Sequence, residues 1–295
     1  MTTIFDSRRC ELGEGPIWHP ERDQLFWFDI LGKRLMTQGL EGPQEWHMSE
    51  MVSAAGLVDD RRLFIASEHA LFLFDVVSGA RKDICALEAD NAVTRSNDGR
   101  ADAHGGFWIG TMGKKAEKGA GAIYRWYKGE LRKLFPGISI PNSMCFTPDG
   151  STAFFSDSNL RKVMRVALDS SGWPKGEPQV FVDLGPDKGE PDGAVLDDRG
   201  NLWLAEWGVA RVASYAPDGS LRDVIPTLAK QTSCPAFGGP GMATLYITSA
   251  LQGMSEAARA AEPQGGMTFS TQVAARGLPE NRVIVPPEPV SAIRH

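Results

Sequence analysis

Four residues able to carry charge or bind a cation recur at one spacing. They are Glu14 in LGEGP, Asn97 in TRSNDG, Asn142 in IPNSM and Asp192 in GEPDG. Each lies 11 or 12 residues ahead of an aromatic residue: Phe26, Trp108, Phe154 and Trp203 in turn. A shared register that turns them toward one another brings carboxylates and amides together. Without a counter-ion such a group repels itself and loses its hydration. A hard cation resolves both problems, because Ca²⁺, Mg²⁺ and Mn²⁺ favour oxygen ligands. Glu14, Asn142 and Asp192 form an oxygen-only set with positions left over for water or substrate. Zn²⁺ suits the set less well without His or Cys, although carboxylates do bind it. The expected cofactor is therefore one divalent metal ion: Ca, Mg, Mn or Zn. Taken singly, each residue has an ordinary alternative. Glu14 in GEGP and Asp192 in PDG read as turn residues, and Asn97 before Asp-Gly reads as an Asx turn. The common register favours the site.

The elements that would create this register are visible as a repeat. Short β-prone runs recur as LFWFD (25–29), LFIAS (63–67), FWIGT (107–111), AFFSD (153–157), LWLAE (202–206) and LYITS (245–249). The second residue of each is aromatic, and successive aromatics lie 38 to 49 residues apart. Most runs follow a turn sequence such as TPDGST, DDRGN or DAHGG, and further β-prone stretches follow them. A unit of about four short strands at this period predicts a propeller blade. Six units predict an all-β chain: a six-bladed β-propeller with a central channel, a single domain over 1–295. The alternative is a β-sandwich with evenly spaced strands. In a propeller the strand before the first tight turn is innermost, so the residues in register open onto the channel. The second and sixth blades place Val52 or Ser53, and Cys234 or Pro235, at the same offset. SEAARAAE (255–262) is the one helical stretch and reads as an insertion in the last unit.

The totals narrow the function. The chain has 295 residues and a formal net charge of −6, with no Lys/Arg block to suit nucleic acid. The basic run Lys114-Lys115-Ala116-Glu117-Lys118 reads as a solvated loop. No stretch has the apolar length that crosses a bilayer, and MTTIFDSRRCELGEG lacks the apolar core of a secretory signal. No membrane partner and a cytoplasmic location follow as expectations. Cys10, Cys85, Cys145 and Cys234 form no CxxC pair and read as free buried thiols. His19, His47, His69 and His104 share no spacing that makes a zinc site or triad, and His19 and His104 fall at turns where exposure is expected. No GxSxG occurs, against a serine esterase.

LGEGPIWHP, RSNDGRADAHGGFWIGTM, IPNSMCFTPDG, EPDGAVLDDRGNLWLAEWG and CPAFGGPGMATLYITSA, in this order, resemble the senescence marker protein/gluconolactonase family, which includes regucalcin and bacterial sugar lactonases. The resemblance runs from about residue 10 to about residue 280. It implies a six-bladed propeller with one divalent metal in the channel, held by Glu14, Asn142 and Asp192. It also implies that Arg95 and Asn97 bind substrate and that Asp192 is the acid/base. The implied activity is a metal-dependent hydrolase opening a small-molecule sugar lactone. An arylesterase or phosphotriesterase on the same metal, and a non-catalytic calcium-binding propeller, are the alternatives. Where regucalcin-type members carry acidic residues after GTM, this chain has Gly113-Lys114-Lys115, which points to a more anionic or differently hydroxylated lactone. The run GGMTFSTQVAARGLPENRVIV also departs from the family pattern and reads as the closing strands of the last blade.

Overall fold

In the computed structural model, residues 2–39, 42–186 and 188–286 are described. They form six antiparallel four-stranded sheets arranged around a channel, as the period predicts. Blade 1 comprises Gly13–His19, Gln24–Asp29, Arg34–Gly39 and Gly42–His47. The innermost strands of blades 2 to 6 are Val52–Leu57, Thr94–Ala101, Pro141–Phe146, Glu190–Leu196 and Thr232–Gly238. Burial falls outward within each blade. Val52–Leu57 is buried throughout, whereas most of Gly42–His47 faces solvent. Among the described residues no helix is long and apolar enough to cross a membrane. The helix Glu256–Ala261 lies between the second and third strands of blade 6, capped by Ser255, and Arg259 ties it to Glu11 at 2.5 Å.

Most of the repeated aromatics hold the blades to one another. Phe64 of blade 2 meets Phe107 and Trp126 of blade 3 at 5.4 and 4.7 Å between ring centroids. Trp108 meets Phe146 of blade 4, Trp203 meets Phe237 of blade 6, and Tyr246 stacks on Trp18 of blade 1. Aromatic pairs of this kind, edge-to-face or stacked, contribute about 0.5–1.5 kcal/mol beyond the area they bury. Four of the six repeated aromatics thus make ring contacts between blades, whereas Phe26 and Phe154 pair with Trp46 and Phe181 of their own blades.

Two expectations about the ends and turns need correction. Of GGMTFSTQVAARGLPENRVIV, only Thr268–Gln272 is a blade strand, and the strand that completes blade 6 is Thr3–Asp6 from the other end of the chain. The remainder is a strap across the channel mouth where the innermost strands end. It bridges Gly277 to Asp197 of blade 5 and Arg282 to Leu57 of blade 2, and Ile284 N–H donates to the Gly105 carbonyl of blade 3 at 2.9 Å. Its Glu280 pairs with the half-buried Arg100 at 2.5 Å. His19 is not exposed: its ring lies inside the fold, with Nε2 donating to the Asp59 carbonyl at 2.9 Å. The turn brings the backbone of blade 2 over it. Three cysteines are buried and Cys85 is half-buried, all as free thiols.

Candidate functional site

The innermost strand of every blade carries an irregularity of pairing near its start. The register shifts lie between Glu14 and Ile17, Val52 and Ala54, Ser96 and Gly99, Asn142 and Cys145, Pro191 and Ala194, and Thr232 and Pro235. A bulge leaves residues unpaired and re-aims their side chains. Gly15 and Ser143, which directly follow Glu14 and Asn142, have φ of 56° and 61°. Glu14, Asn97 and Asp192 therefore lie in bulged strands and not in the turns that were their ordinary alternatives, whereas TPDG (147–150) is a turn, closed by Gly150 N–H to the Thr147 carbonyl. In blade 6 the bulge holds Ser233 and Cys234, so the shift in register replaces the expected Cys234 or Pro235 by Ser233 at the ring level. Ser53 is its counterpart in blade 2.

Side chains from neighbouring blades capture the backbone groups that the bulges release. Ser143 Oγ donates to the Asp192 carbonyl at 2.6 Å, and Ser233 Oγ to the Gly13 carbonyl at 2.5 Å. Met144 is held at both ends: its N–H donates to Asp98 at 2.8 Å and its carbonyl accepts from Arg100 Nε at 3.2 Å. Buried backbone groups left unpaired are costly, and here blades 3, 4 and 6 each satisfy backbone groups of the next blade.

Glu14, Arg95, Asn97, Asn142 and Asp192 line one cavity of about 190 Å³ at the channel mouth away from the strap, together with Ser158, Glu190, Met112, Ile140 and Trp207. That volume lies below the roughly 300–1,000 Å³ of drug-sized pockets and suits a small ligand. All five residues are buried. Glu14 and Asp192 are both buried in the cup, where each affects the other's electrostatic cost of ionising. Burial, and next the charge of Asp98, pushes Glu14 up; burial and the charge of Glu14 push Asp192 well up. Burial pulls the Arg95 guanidinium down to about 10, opposed by Glu14, Asp192 and Glu68. Its hydrogen bonds among the described residues run from Nη1, to the Ser96 carbonyl and Asn97 Oδ1, both at 2.8 Å.

Among the described residues no group of three or more His, Cys, Asp or Glu converges as a metal site. The donor set here is two carboxylates and the Asn142 amide oxygen. Two desolvated carboxyl groups lining one cavity with an amide oxygen, both pushed up by burial and by neighbouring acidic charge, fit a hard divalent cation. Lys114 lies outside the cavity, its ammonium paired with Glu68 and bonded to the Ala92 carbonyl at 2.9 Å. Asp98, Ser143, Ser158, Glu190 and Trp207 escaped the sequence reading. Asp98 sat in view within RSNDG but was read as the companion of a turn glycine.

A six-bladed propeller with an oxygen-donor cup at one end of its channel is the class that fold and geometry define. The chain belongs to the SMP-30/gluconolactonase/LRE-like family, whose model matches residues 12–251. It is 35% identical to an L-arabinolactonase of Azospirillum brasilense over 94% of each chain. It is 31% identical to a pentonolactonase of Haloferax volcanii, covering 96% of this chain and 97% of that one. Among solved structures it superposes on a calcium-binding protein, regucalcin, from Agrobacterium tumefaciens, with a TM-score of 0.93 at 41% identity, covering 96% and 97% of the two chains.

Proposed function

We propose that the protein hydrolyses the ester of a monosaccharide-acid lactone, with one divalent cation held by Glu14, Asn142 and Asp192. The observation that carries this reading is the meeting of two buried carboxylates, an amide oxygen and a buried arginine in a cavity sized for a small ligand. The names of the Azospirillum and Haloferax relatives support lactones of five-carbon sugar acids. When bound, the cation polarises the lactone carbonyl and stabilises the oxyanion.

The chain's own groups do the rest. Asp192 accepts a proton from the attacking water as its oxygen adds to the carbonyl carbon. The ring C–O bond then breaks, and the same proton passes from Asp192 to the departing alkoxide, giving the open hydroxy acid. General base action of this kind contributes about 10²–10⁴-fold. Arg95 offers its remaining N–H groups to substrate oxygens, and Asn97 holds the guanidinium in place while adding a polar wall. Trp207 and Met112 give the apolar face of a sugar ring a surface. In the lining Glu14 and Asp192 face Arg95, while Glu190 is paired with Arg161 at 3.4 Å. Because Lys114 is neutralised by Glu68, a neutral lactone fits better than the anionic one its sequence position suggested.

The same donor set would serve a calcium-binding role, which the name of the Agrobacterium neighbour supports. Arg95 beside the carboxylates favours an organic substrate, since an ion site alone gains nothing from a buried cation. The test is Asp192→Asn. Its lactone turnover should fall by about 10²-fold or more, with the melting transition and far-UV spectrum retained. Wild-type turnover in this variant would remove Asp192 from the mechanism.

A further inference from the structure

Four side chains form a single file of hydrogen bonds along the cavity wall. Arg95 Nη1 donates to Asn97 Oδ1 at 2.8 Å, and Asn97 Nδ2 donates to Asn142 Oδ1 at 2.9 Å. Asn142 Nδ2 donates to Ser158 Oγ at 2.9 Å, and the Ser158 hydroxyl donates to the Pro191 carbonyl at 2.6 Å. That carbonyl belongs to the peptide that begins Asp192. Asn97 Nδ2 also reaches the Pro141 carbonyl at 2.9 Å.

Amide side chains have two orientations, and the hydrogen-bond network decides between them. Here both ends of the file permit one direction only. A guanidinium only donates, so Asn97 must turn its oxygen to Arg95 and its nitrogen to Asn142. A backbone carbonyl only accepts, so the Ser158 hydroxyl spends its proton on Pro191 and offers Asn142 a lone pair. Asn142 must then give its nitrogen to Ser158 and its oxygen to the opposite side. Ser158 is itself fixed at the start of the short 3₁₀ turn Ser158–Leu160. Its N–H donates to the Ile140 carbonyl at 3.0 Å, and the preceding Asp157 accepts from Ser139 and Ile140 N–H at 2.9 and 3.1 Å.

We propose that Ser158 is a positioning residue: it sets the orientation of the Asn142 amide so that Oδ1 is presented as an oxygen ligand, and it ties that amide to the peptide carrying Asp192. This rests on the reading of the cup as a divalent-cation site. Outer partners that orient a metal ligand contribute about 10–100-fold in affinity.

The experiment is calorimetric titration of the full-length protein with Ca²⁺ and, separately, Mn²⁺, without any lactone. Ser158→Ala should bind the ion about 10–100-fold more weakly than wild type. Ser158→Thr, which keeps the hydroxyl, should stay within about threefold. So should Ser53→Ala, which removes a buried hydroxyl between blades 2 and 3, bonded to Ser96 at 2.8 Å but outside the file. If Ser158→Ala lost its cooperative melt, Ser158→Cys would carry the same test, since a thiol keeps the shape and is a weak donor and acceptor. Unchanged affinity in Ser158→Ala or Ser158→Cys overturns the proposal, as does an equal loss in Ser53→Ala. Failure of the wild type to bind either ion overturns the cation reading instead.

Discussion

Charge placement at single residues has measurable consequences away from the cup. His19 is enclosed, its Nε2 donates to Asp59, and Nδ1 has no hydrogen-bond partner. Burial is the main cause that holds the ring below its usual value of 6.5, aided by Arg22 and Arg282 and opposed by the Asp59 bond and Glu21. In the unfolded chain the ring takes up a proton near 6.5, and in the fold only at lower pH. The unfolded state therefore binds more protons below 6.5, and stability falls as the medium is acidified through that window. His19→Gln, which can keep a donor toward Asp59, should flatten this part of the stability–pH curve in urea titrations between pH 7 and 5. An unchanged slope would exclude His19 as its source. Glu14, Asn97, Asn142 and Asp192 were legible in the sequence because a strong aromatic repeat supplies their coordinate. Ser143 and Ser158 were not, because their partners lie 49 and 33 positions away in the next blade. A serine has no local signature for such a bond.

Bulges are what convert a strand into a site. An unbroken ladder would pair the backbone beyond Glu14 and Asn142 and turn alternate side chains away from the channel. Instead, Gly15 takes a left-handed conformation where an added Cβ would approach the Ser53 carbonyl at 2.5 Å. Ser143 accepts the same strain and offsets it by bonds to Ser156 and Asp192 at 2.9 and 2.6 Å. Gly15→Ala should therefore lose about 1–2 kcal/mol from backbone conformation alone, and more from the clash with blade 2. Urea unfolding measures this, and a parallel cation titration should show weakened binding as Glu14 is displaced. Stability equal to wild type would mean that the bulge relaxes freely. The sequence showed the strands and tight turns through aromatic spacing and Asp-Gly pairs. It did not show the bulges, since a pairing irregularity depends on the partner strand, and GEG and NSM share no pattern.

At the scale of the whole molecule, the ring is closed by the strand Thr3–Asp6 and its second mouth is crossed by residues 273–286. The period predicted six blades correctly, yet closure was misread, because a strand from residues 3–6 pairs with one more than 260 positions away. The strap's Glu280 neutralises Arg100. Burial works against that cation, and Glu280 together with Asp98 more than compensates. Removing one partner of a fully buried pair costs about 3–5 kcal/mol, and for this half-buried pair the loss is at or below the lower end of that range. Glu280→Ala should show that loss in thermal or urea unfolding, and a variant as stable as wild type would deny the strap its stapling role.

The central claim joins the propeller, the cup and the chemistry: a divalent cation and Asp192 together open a sugar-acid lactone. Acid release from a panel of five- and six-carbon sugar-acid lactones tests it most directly. It should be measured after exhaustive chelation and again after adding back Ca²⁺, Mg²⁺, Mn²⁺ or Zn²⁺. The account expects at least one lactone to be opened, its rate to fall by about 100-fold or more on chelation, and at least one ion to restore it. Hydrolysis at full rate in the chelated protein, or no hydrolysis of any lactone with every ion supplied, would contradict it.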